Sequence, residues 1–311
     1  MPTDNIVFPR WRFGLSELMR PLMMRLPRGR YFLYSRICGK GRQYDEFWRR
    51  TPNRYRVFFD KAVGGYVYAD VGDWSGRHHY FCGAYRDPVN GLLIRKCLGA
   101  GDTYIDIGAN YGIFSILASR VVGPQGRVIC FEPNPQVHRV LQAMLAINHI
   151  TNCEALNLAL SDAAGALTLS GADEHTGTFT LRPLEAAAQS VQVQAVRGDD
   201  IFAPMELRGR VLMKIDTEGF EHHVLRGLDS TLARYPRLAV CVEVTDAWLK
   251  QTGSSAAQLF ADFAARGFKA YELRLRRTMM RRELNLVPLQ GPRAEYQYDA
   301  LFMRDDYLSP G

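Results

Sequence analysis

The sequence predicts an α/β fold in which a mostly parallel sheet, covered by helices on both faces, ends in an antiparallel strand. Three observations predict it. From residue 88 onward, short apolar strand-like runs alternate with segments of helical periodicity, the pattern of βαβ units. The first such strand runs straight into the turn Gly108-Ala109-Asn110-Tyr111-Gly112 and then a helix, as in Rossmann-like nucleotide-binding folds. The final predicted element is a strand with no helix after it, which suits antiparallel pairing.

The elements follow in order. Residues 1–62 read as a basic helical extension, with fourteen Lys and Arg against five Asp and Glu over residues 1–61. Within it, Leu15 to Leu26 has apolar residues at helical spacing, with a break expected at Pro21. Such a segment packs on the main domain, meets a second copy of the chain, or lies on an anionic membrane surface. Residues 63–311 read as the main domain. It opens on a lead-in hairpin over 63–82, with Tyr66–Val71 and His79–Cys82 as strands. A helix follows from about Val89 to Leu98. The sheet strands are Thr103–Ile107, Arg127–Phe131, Glu154–Leu160, Val211–Ile215 and Leu238–Val244. Helices follow most of them, and one is expected from Phe220 to Arg234. An inserted hairpin uses Ala166–Ser170 and Val191–Val196. Strands Lys269–Leu273 and Asp299–Met303 close the domain as a C-terminal hairpin within residues 270–303.

The 311 residues are 47% hydrophobic and 23% charged, which excludes disordered, collagen-like and coiled-coil chains. No run of about 18 apolar residues marks a membrane span. Met1-Pro2-Thr3-Asp4 is not the basic start of a signal peptide. The six cysteines form no C-x-x-C pair, and several sit in apolar runs. They read as small buried hydrophobes in a reducing compartment, so a cytoplasmic protein is expected.

The glycine turn has the spacing G-x-x-x-G, whereas a dinucleotide fingerprint is G-x-G-x-x-G. Asp106 stands two residues before Gly108. A carboxylate there repels a pyrophosphate but suits a ligand with a cationic amino group and a sulfonium, such as S-adenosylmethionine. Glu132 ends the second strand and would accept both hydroxyls of a ribose. Asp162 follows the third strand and would accept an adenine amino group. Asp106, Gly108, Ala109, Asn110, Gly112, Glu132, Pro133, Ser161 and Asp162 thus make up the predicted cofactor site. Any one of these acids alone would read as a turn residue or helix cap.

A second cluster, Lys214-Ile215-Asp216-Thr217-Glu218-Gly219-Phe220-Glu221-His222, follows the fourth strand. Methyl transfer is largely a positioning task, and an alcohol nucleophile must also lose a proton. Asp216 is the first candidate for that base, Glu243 at the end of the fifth strand the second, and Glu218 stands beside them. The same three carboxylates are the only expected ligands should a divalent metal be used, which is the lesser reading. Glu218 and Glu221 also suit a helix N-terminus. His222 and His223 read as packing or surface residues.

The runs TYIDIGANYG, VICFEPNP, LNLALSDAAGALTL and LMKIDTEGFEHHVLRG, in this order, resemble the FkbM family of methyltransferases over about residues 80–245. The resemblance implies a class I methyltransferase fold with a seven-stranded sheet and an antiparallel last strand. It implies S-adenosylmethionine as cofactor and O-methylation of a sugar, glycolipid, polysaccharide or polyketide hydroxyl. In the family a glutamate often stands where this chain has Arg86-Asp87.

Arg274, Arg276, Arg277, Arg281 and Arg282, with Met279 and Met280 among them, form a basic stretch between the last two strands. They read as contacts to an anionic acceptor, Arg274, Arg276 and Arg277 foremost, or as a solvated loop. The competing functions are a nucleic-acid methyltransferase, an NAD-dependent oxidoreductase and a non-catalytic nucleotide-binding homologue. No Asn-Pro-Pro-Tyr or Asp-Pro-Pro-Tyr run follows the fourth strand, so no nucleic-acid partner is expected. The glycine spacing opposes the oxidoreductase, and the intact set of acids opposes the relic.

Overall fold

The structure is a computed structural model that describes residues 9–26, 29–39, 41–83, 88–171, 179–182, 189–277 and 282–308. The chain divides into two compact units, residues 1–88 and 89–311.

The first unit holds α1 (Trp11–Arg25), α2 (Arg30–Ile37), α3 (Asp45–Arg49), β1 (Tyr55–Asp60), β2 (Gly65–Asp70) and α4 (Trp74–Cys82). The expected lead-in hairpin over 63–82 is corrected here. Its first half forms β2, but β2 pairs antiparallel with the preceding β1, and His79–Cys82 is the end of α4. The reason is local. The Asp73 carboxylate caps the helix by accepting from the Gly76 N–H at 3.2 Å, so the residues that read as a loop start a helix. The compact unit that contains residues 1–62 runs on to residue 88 and includes β1 and β2. Helix α1 also continues through Pro21. One N–H donor is lost there, while Ser16 and Met23 stay buried on either side of it. Buried charges in this unit are paired: Arg77 donates to Asp45 at 3.0 Å, and His79 lies 2.6 Å from Asp60. Trp11, Leu18, Leu22 and Phe32 are exposed.

The second unit runs α5 (Pro88–Cys97), β3 (Thr103–Ile107), α6 (Ile113–Val122), β4 (Arg127–Phe131), α7 (Pro135–Ile147), β5 (Cys153–Leu156), β6 (Ala159–Ser161), β7 (Gly165–Gly171), β8 (Gln189–Arg197) and α8 (Gly198–Phe202). It continues with β9 (Val211–Ile215), α9 (Glu221–Arg226), α10 (Asp229–Arg234), β10 (Leu238–Val244), α11 (Asp246–Gln251), α12 (Ala256–Ala265), β11 (Lys269–Arg277), β12 (Arg282–Leu289) and β13 (Tyr298–Met303). The main sheet has the order β12-β11-β13-β10-β9-β3-β4-β5. Strands β5, β4, β3, β9 and β10 are parallel, and β13 is antiparallel to both of its neighbours. The Rossmann-like architecture and the antiparallel last strand are therefore present.

Three details differ from the sequence reading. The sheet has eight strands instead of seven, because the chain beyond the basic stretch returns as β12, paired with β11 from Ala270↔Leu289 to Arg277↔Arg282. The C-terminal hairpin is thus β11–β12, and β13 inserts between β11 and β10. The third strand is split. Asn157 leaves the ladder to donate to the carbonyls of Glu132 (2.8 Å) and Pro133 (2.9 Å), after which β6 joins β8 and β7 in a separate three-stranded sheet. The helix expected over 220–234 is two short helices, α9 and α10, parted at Gly227 and Leu228.

Strands β3, β4, β9 and β10 are buried almost throughout, which is why they read as continuous apolar runs. Their two faces differ. Ile105, Ile107, Met213, Ile215, Val240 and Val242 pack with Val224, Leu225, Phe260 and Phe263 in one apolar core. Alternate residues of the same strands face the other way, and there Asp106 lies opposite Lys214 and Lys214 opposite Cys241. Among the described residues, no helix is long and apolar enough to cross a membrane. All six cysteines are free thiols, five of them buried.

Candidate functional site

Strand order reverses between β3 and β9: the chain leaves β3 toward β4 and β5, then returns to β9 on the other side. A reversal of this kind opens a crevice at the carboxyl edge of the sheet. Both predicted clusters lie there. The Asp216 N–H donates to the Ile107 carbonyl at 3.0 Å, and the N–H groups of Gly108 and Ala109 donate to the Phe131 carbonyl at 3.0 and 2.9 Å. Gly108 has φ +86°, and a Cβ there would stand 1.9 Å from the Asp216 carbonyl oxygen. The two turns are thus in backbone contact.

Among the residues predicted to hold the cofactor, Glu132 is almost wholly buried. One of its oxygens accepts from the Asn110 N–H and the other from the Asn134 N–H, both at 2.9 Å. Burial pushes its carboxyl up to about 7 in spite of those two donors. The Asn110 side-chain oxygen is buried with no hydrogen-bond partner among the described residues. Gly112 precedes α6, and Pro133 continues the turn that Asn157 holds. Asp106 is 1% exposed, and Ser115 of α6 donates to it at 2.6 Å. Burial raises its pKa, against the pull of Lys214 and Ser115. Asp162 lies after β6, beyond the main sheet. Its carboxylate is taken up by His223 at 3.2 Å and Arg226 at 3.0 Å, and the Ser161 hydroxyl donates to it at 3.1 Å. Burial alone would raise its pKa, but His223 and Arg226 together hold it below the ordinary carboxyl range.

On the acid side, one oxygen each of Asp216, Glu218 and Glu243 all lie within 4.8 Å of one another. Lys214 donates to Asp216 at 2.6 Å from a buried position. Burial would lower the pKa of this lysine, yet Asp216, Asp106 and Asp299 hold it well above the ordinary value. A buried cation is therefore fixed beside Asp216, the first of the three acids. Burial, then the charge of Asp216, pushes Glu218 up to about 8 and Glu243 up to about 10. Glu218 has φ +55°, a left-handed conformation that costs a non-glycine residue about 1–2 kcal/mol. Glu221 braces this turn from below, accepting from the N–H groups of Thr217 (3.1 Å) and Gly219 (2.9 Å).

A stability prediction follows from Glu243. Its folded pKa stands above the unfolded value of 4.5, so its contribution is intact below that value and is lost as pH rises toward about 10. Glu243→Gln should raise Tm at pH 8 by about 2–4 °C, on the order of 1 kcal/mol, and change it little at pH 4.5. Melting curves at the two pH values check this; equal shifts would contradict it.

The basic stretch reaches the same edge, since β11 passes the row of Glu243 and Asp299 and turns beyond it. Arg274 and Arg276 are exposed, and Arg274 pairs with Glu272 at 2.8 Å. Arg277 ends β11; Met279, Met280 and Arg281, like Arg86 and Asp87, lie outside the described residues. His222 is a packing residue, while His223 also holds the Asp162 carboxylate. His222 is bonded to Ser254 and to Asp262, and His223 stacks on Phe220.

Several residues bonded to these two clusters escape sequence reasoning. Lys214 stands inside the motif on β9, and Asp216, just past the strand end, lies within hydrogen-bond reach of it. Ser115 lies in the first turn after the glycine loop. Thr180 and Arg182 lie in the insertion between β7 and β8, where no pattern in the sequence points to them.

A family model described as the methyltransferase FkbM domain matches residues 106–270, which include both clusters. A protein named methyltransferase sdnD from Sordaria araneosa is 31% identical over 40% of this chain and 60% of its own length. The 31-O-demethyl-FK506 methyltransferase FkbM of Streptomyces tacrolimicus is 28% identical over 48% of this chain and 67% of its own. The chain thus spans about 60–67% of the length of these relatives. Among solved structures, methyltransferase FkbM from Methylobacillus flagellatus KT aligns with a TM-score of 0.43 and 14% identity, covering 84% of this chain and 58% of that one.

Proposed function

This chain belongs to the FkbM methyltransferase family, and from that premise we propose that it transfers the methyl group of S-adenosylmethionine to a hydroxyl of a sugar, glycolipid, polysaccharide or polyketide. The observation that carries this reading is the backbone contact of the Gly108 turn with the Asp216 turn, which makes one crevice of the two clusters.

The residues fit the cofactor. Asn110 offers a buried oxygen that lacks a partner among the described residues, and each Glu132 oxygen is bound by one N–H and retains a lone pair for a ribose hydroxyl. Asp106 acts from behind, holding Ser115 and the start of α6. Ser161 and Asp162 sit at the adenine end through their anchors on α9. When bound, S-adenosylmethionine supplies a methyl group activated by the sulfonium.

The acid cluster divides the remaining tasks. Glu243 is held protonated at neutral pH and donates a hydrogen bond to the acceptor. Asp216, with Lys214 beside it, accepts the hydroxyl proton or its hydrogen bond. Glu218 completes the group beside them. Lys214 already supplies the positive charge a metal would bring, so a chelator should leave turnover unchanged. Arg274, Arg276 and Arg277 serve an anionic acceptor from the β11–β12 hairpin. Contact with an anionic membrane surface or a second copy would use the exposed Trp11, Leu18 and Leu22 of α1, with Arg10 and Arg25 beside them.

The test is methyl transfer from labelled S-adenosylmethionine to a panel of hydroxyl acceptors. Asp216→Asn should lower transfer at least about 100-fold and change S-adenosylhomocysteine affinity less than about threefold. Methylation of RNA or DNA with no hydroxyl product, or full activity in Asp216→Asn, would overturn the reading.

A further inference from the structure

The turn that carries Glu218 is held by a segment outside both motifs. The Glu218 carbonyl accepts from the Thr180 hydroxyl at 2.8 Å and from Arg182 Nε at 2.5 Å. Thr180 also accepts from the Arg182 N–H at 3.0 Å, so the two residues act as a pair. Arg182 is nine-tenths buried, donates to Gln251 at 2.6 Å, and lies over the Trp248 ring at 4.5 Å. A Cβ on Gly219 would fall 2.3 Å from Arg182 Cδ and 2.8 Å from Trp248 Cβ, so the guanidinium stem packs directly on the turn. From the other side, the Thr252 hydroxyl donates to the Gly219 carbonyl at 2.8 Å.

A buried guanidinium is costly unless every contact does something. Here two of its contacts, to the Glu218 carbonyl and to the Thr180 hydroxyl that bonds the same carbonyl, fall on a residue in a left-handed conformation, which is costly for a non-glycine residue. Its charge also faces Glu218 and Glu221, within the same group as Asp216, Lys214 and Glu243. We propose that Arg182, with Thr180, is a positioning residue: it lets the β7–β8 insertion hold Glu218 in its left-handed conformation, and so sets the acceptor side of the site. The inference rests on the methyl-transfer reading for its purpose. Its geometry is independent of that reading.

Hydrogen exchange read by mass spectrometry on the full chain, with no ligand added, separates the two. Arg182→Met should speed exchange of a peptide spanning 216–222 at least about tenfold, and leave a peptide spanning 103–116 within about twofold. Thr180→Val should speed the same peptide by a smaller factor. Arg182→Lys, which keeps the charge and one donor, should recover part of the protection. Unchanged exchange over 216–222 in Arg182→Met would overturn the proposal. So would acceleration spread evenly over the unit, which is the mark of general destabilisation. Should Arg182→Met prove insoluble, Thr180→Val alone decides between the same outcomes. Failure of methyl transfer in the intact chain would not alter these rates, so the two readings fail separately.

Discussion

A Gly108→Ala chain is expected to lose measurable S-adenosylhomocysteine binding and to melt about 6–12 °C lower. Two effects add. The backbone at this position has φ +86°, which an alanine adopts only under strain. The new methyl would also stand 1.9 Å from the Asp216 carbonyl oxygen, a backbone atom that cannot swing aside. Relief requires parting the β3 and β9 turns, with loss of the Asp216 N–H to Ile107 carbonyl bond. Strain and overpacking together cost about 3 kcal/mol, and about 2–4 °C of Tm accompanies each kcal/mol in a unit of this size. Calorimetry with S-adenosylhomocysteine and a melting curve check both parts. Normal affinity in this variant would mean that the ligand does not lie across the two turns.

Lys214→Met should have the second large effect, through charge. Lys214 is the buried cation beside Asp216 and opposite Asp106 in register, and Asp299 adds to the field around it. Removal of one partner of such a group costs about 3–5 kcal/mol, because the remaining charge is left uncompensated. The sign with pH is fixed by the shifts. The folded pKa of Lys214 lies above its unfolded value, so its contribution is fully present through neutral pH and is lost only above the unfolded value of 10.5. In the Met variant the acids must instead take up protons, which acid supplies and alkali withholds. The loss of Tm should therefore be larger at pH 8 than at pH 5. A loss of the same size at both would place the role of Lys214 in packing.

Much of this site is legible in the sequence because its chemistry is local. Strand, glycine turn and helix are contiguous, so Asp106 to Gly112 could be placed on the sheet edge from spacing alone. Glu132 and Asp216 follow the same logic at the ends of neighbouring strands. Most of what escapes depends on distant pairing, and one element turns on a local cap that composition hides. The third strand reads as one run from Glu154 to Leu160, but Asn157 leaves the ladder for two carbonyls across the turn, which no periodicity reveals. His79–Cys82 has the composition of a strand, and a single side-chain cap from Asp73 makes it a helix. The eighth strand, β12, depends on where the basic stretch turns back. Arg182 lies 36 residues before Glu218 in the chain, in an insertion with no motif of its own.

The central claim is that one ligand spans Glu132 and the Gly108 turn and presents its reactive end to Asp216, Glu218 and Glu243. A crystal structure with S-adenosylhomocysteine bound tests it most directly. The account predicts ribose hydroxyls on the Glu132 carboxylate, the amino-acid end over the Gly108–Gly112 turn, and the sulfur facing the three-acid cluster. A ligand seated away from Glu132, or a sulfur turned from Asp216 toward the helices, would contradict it.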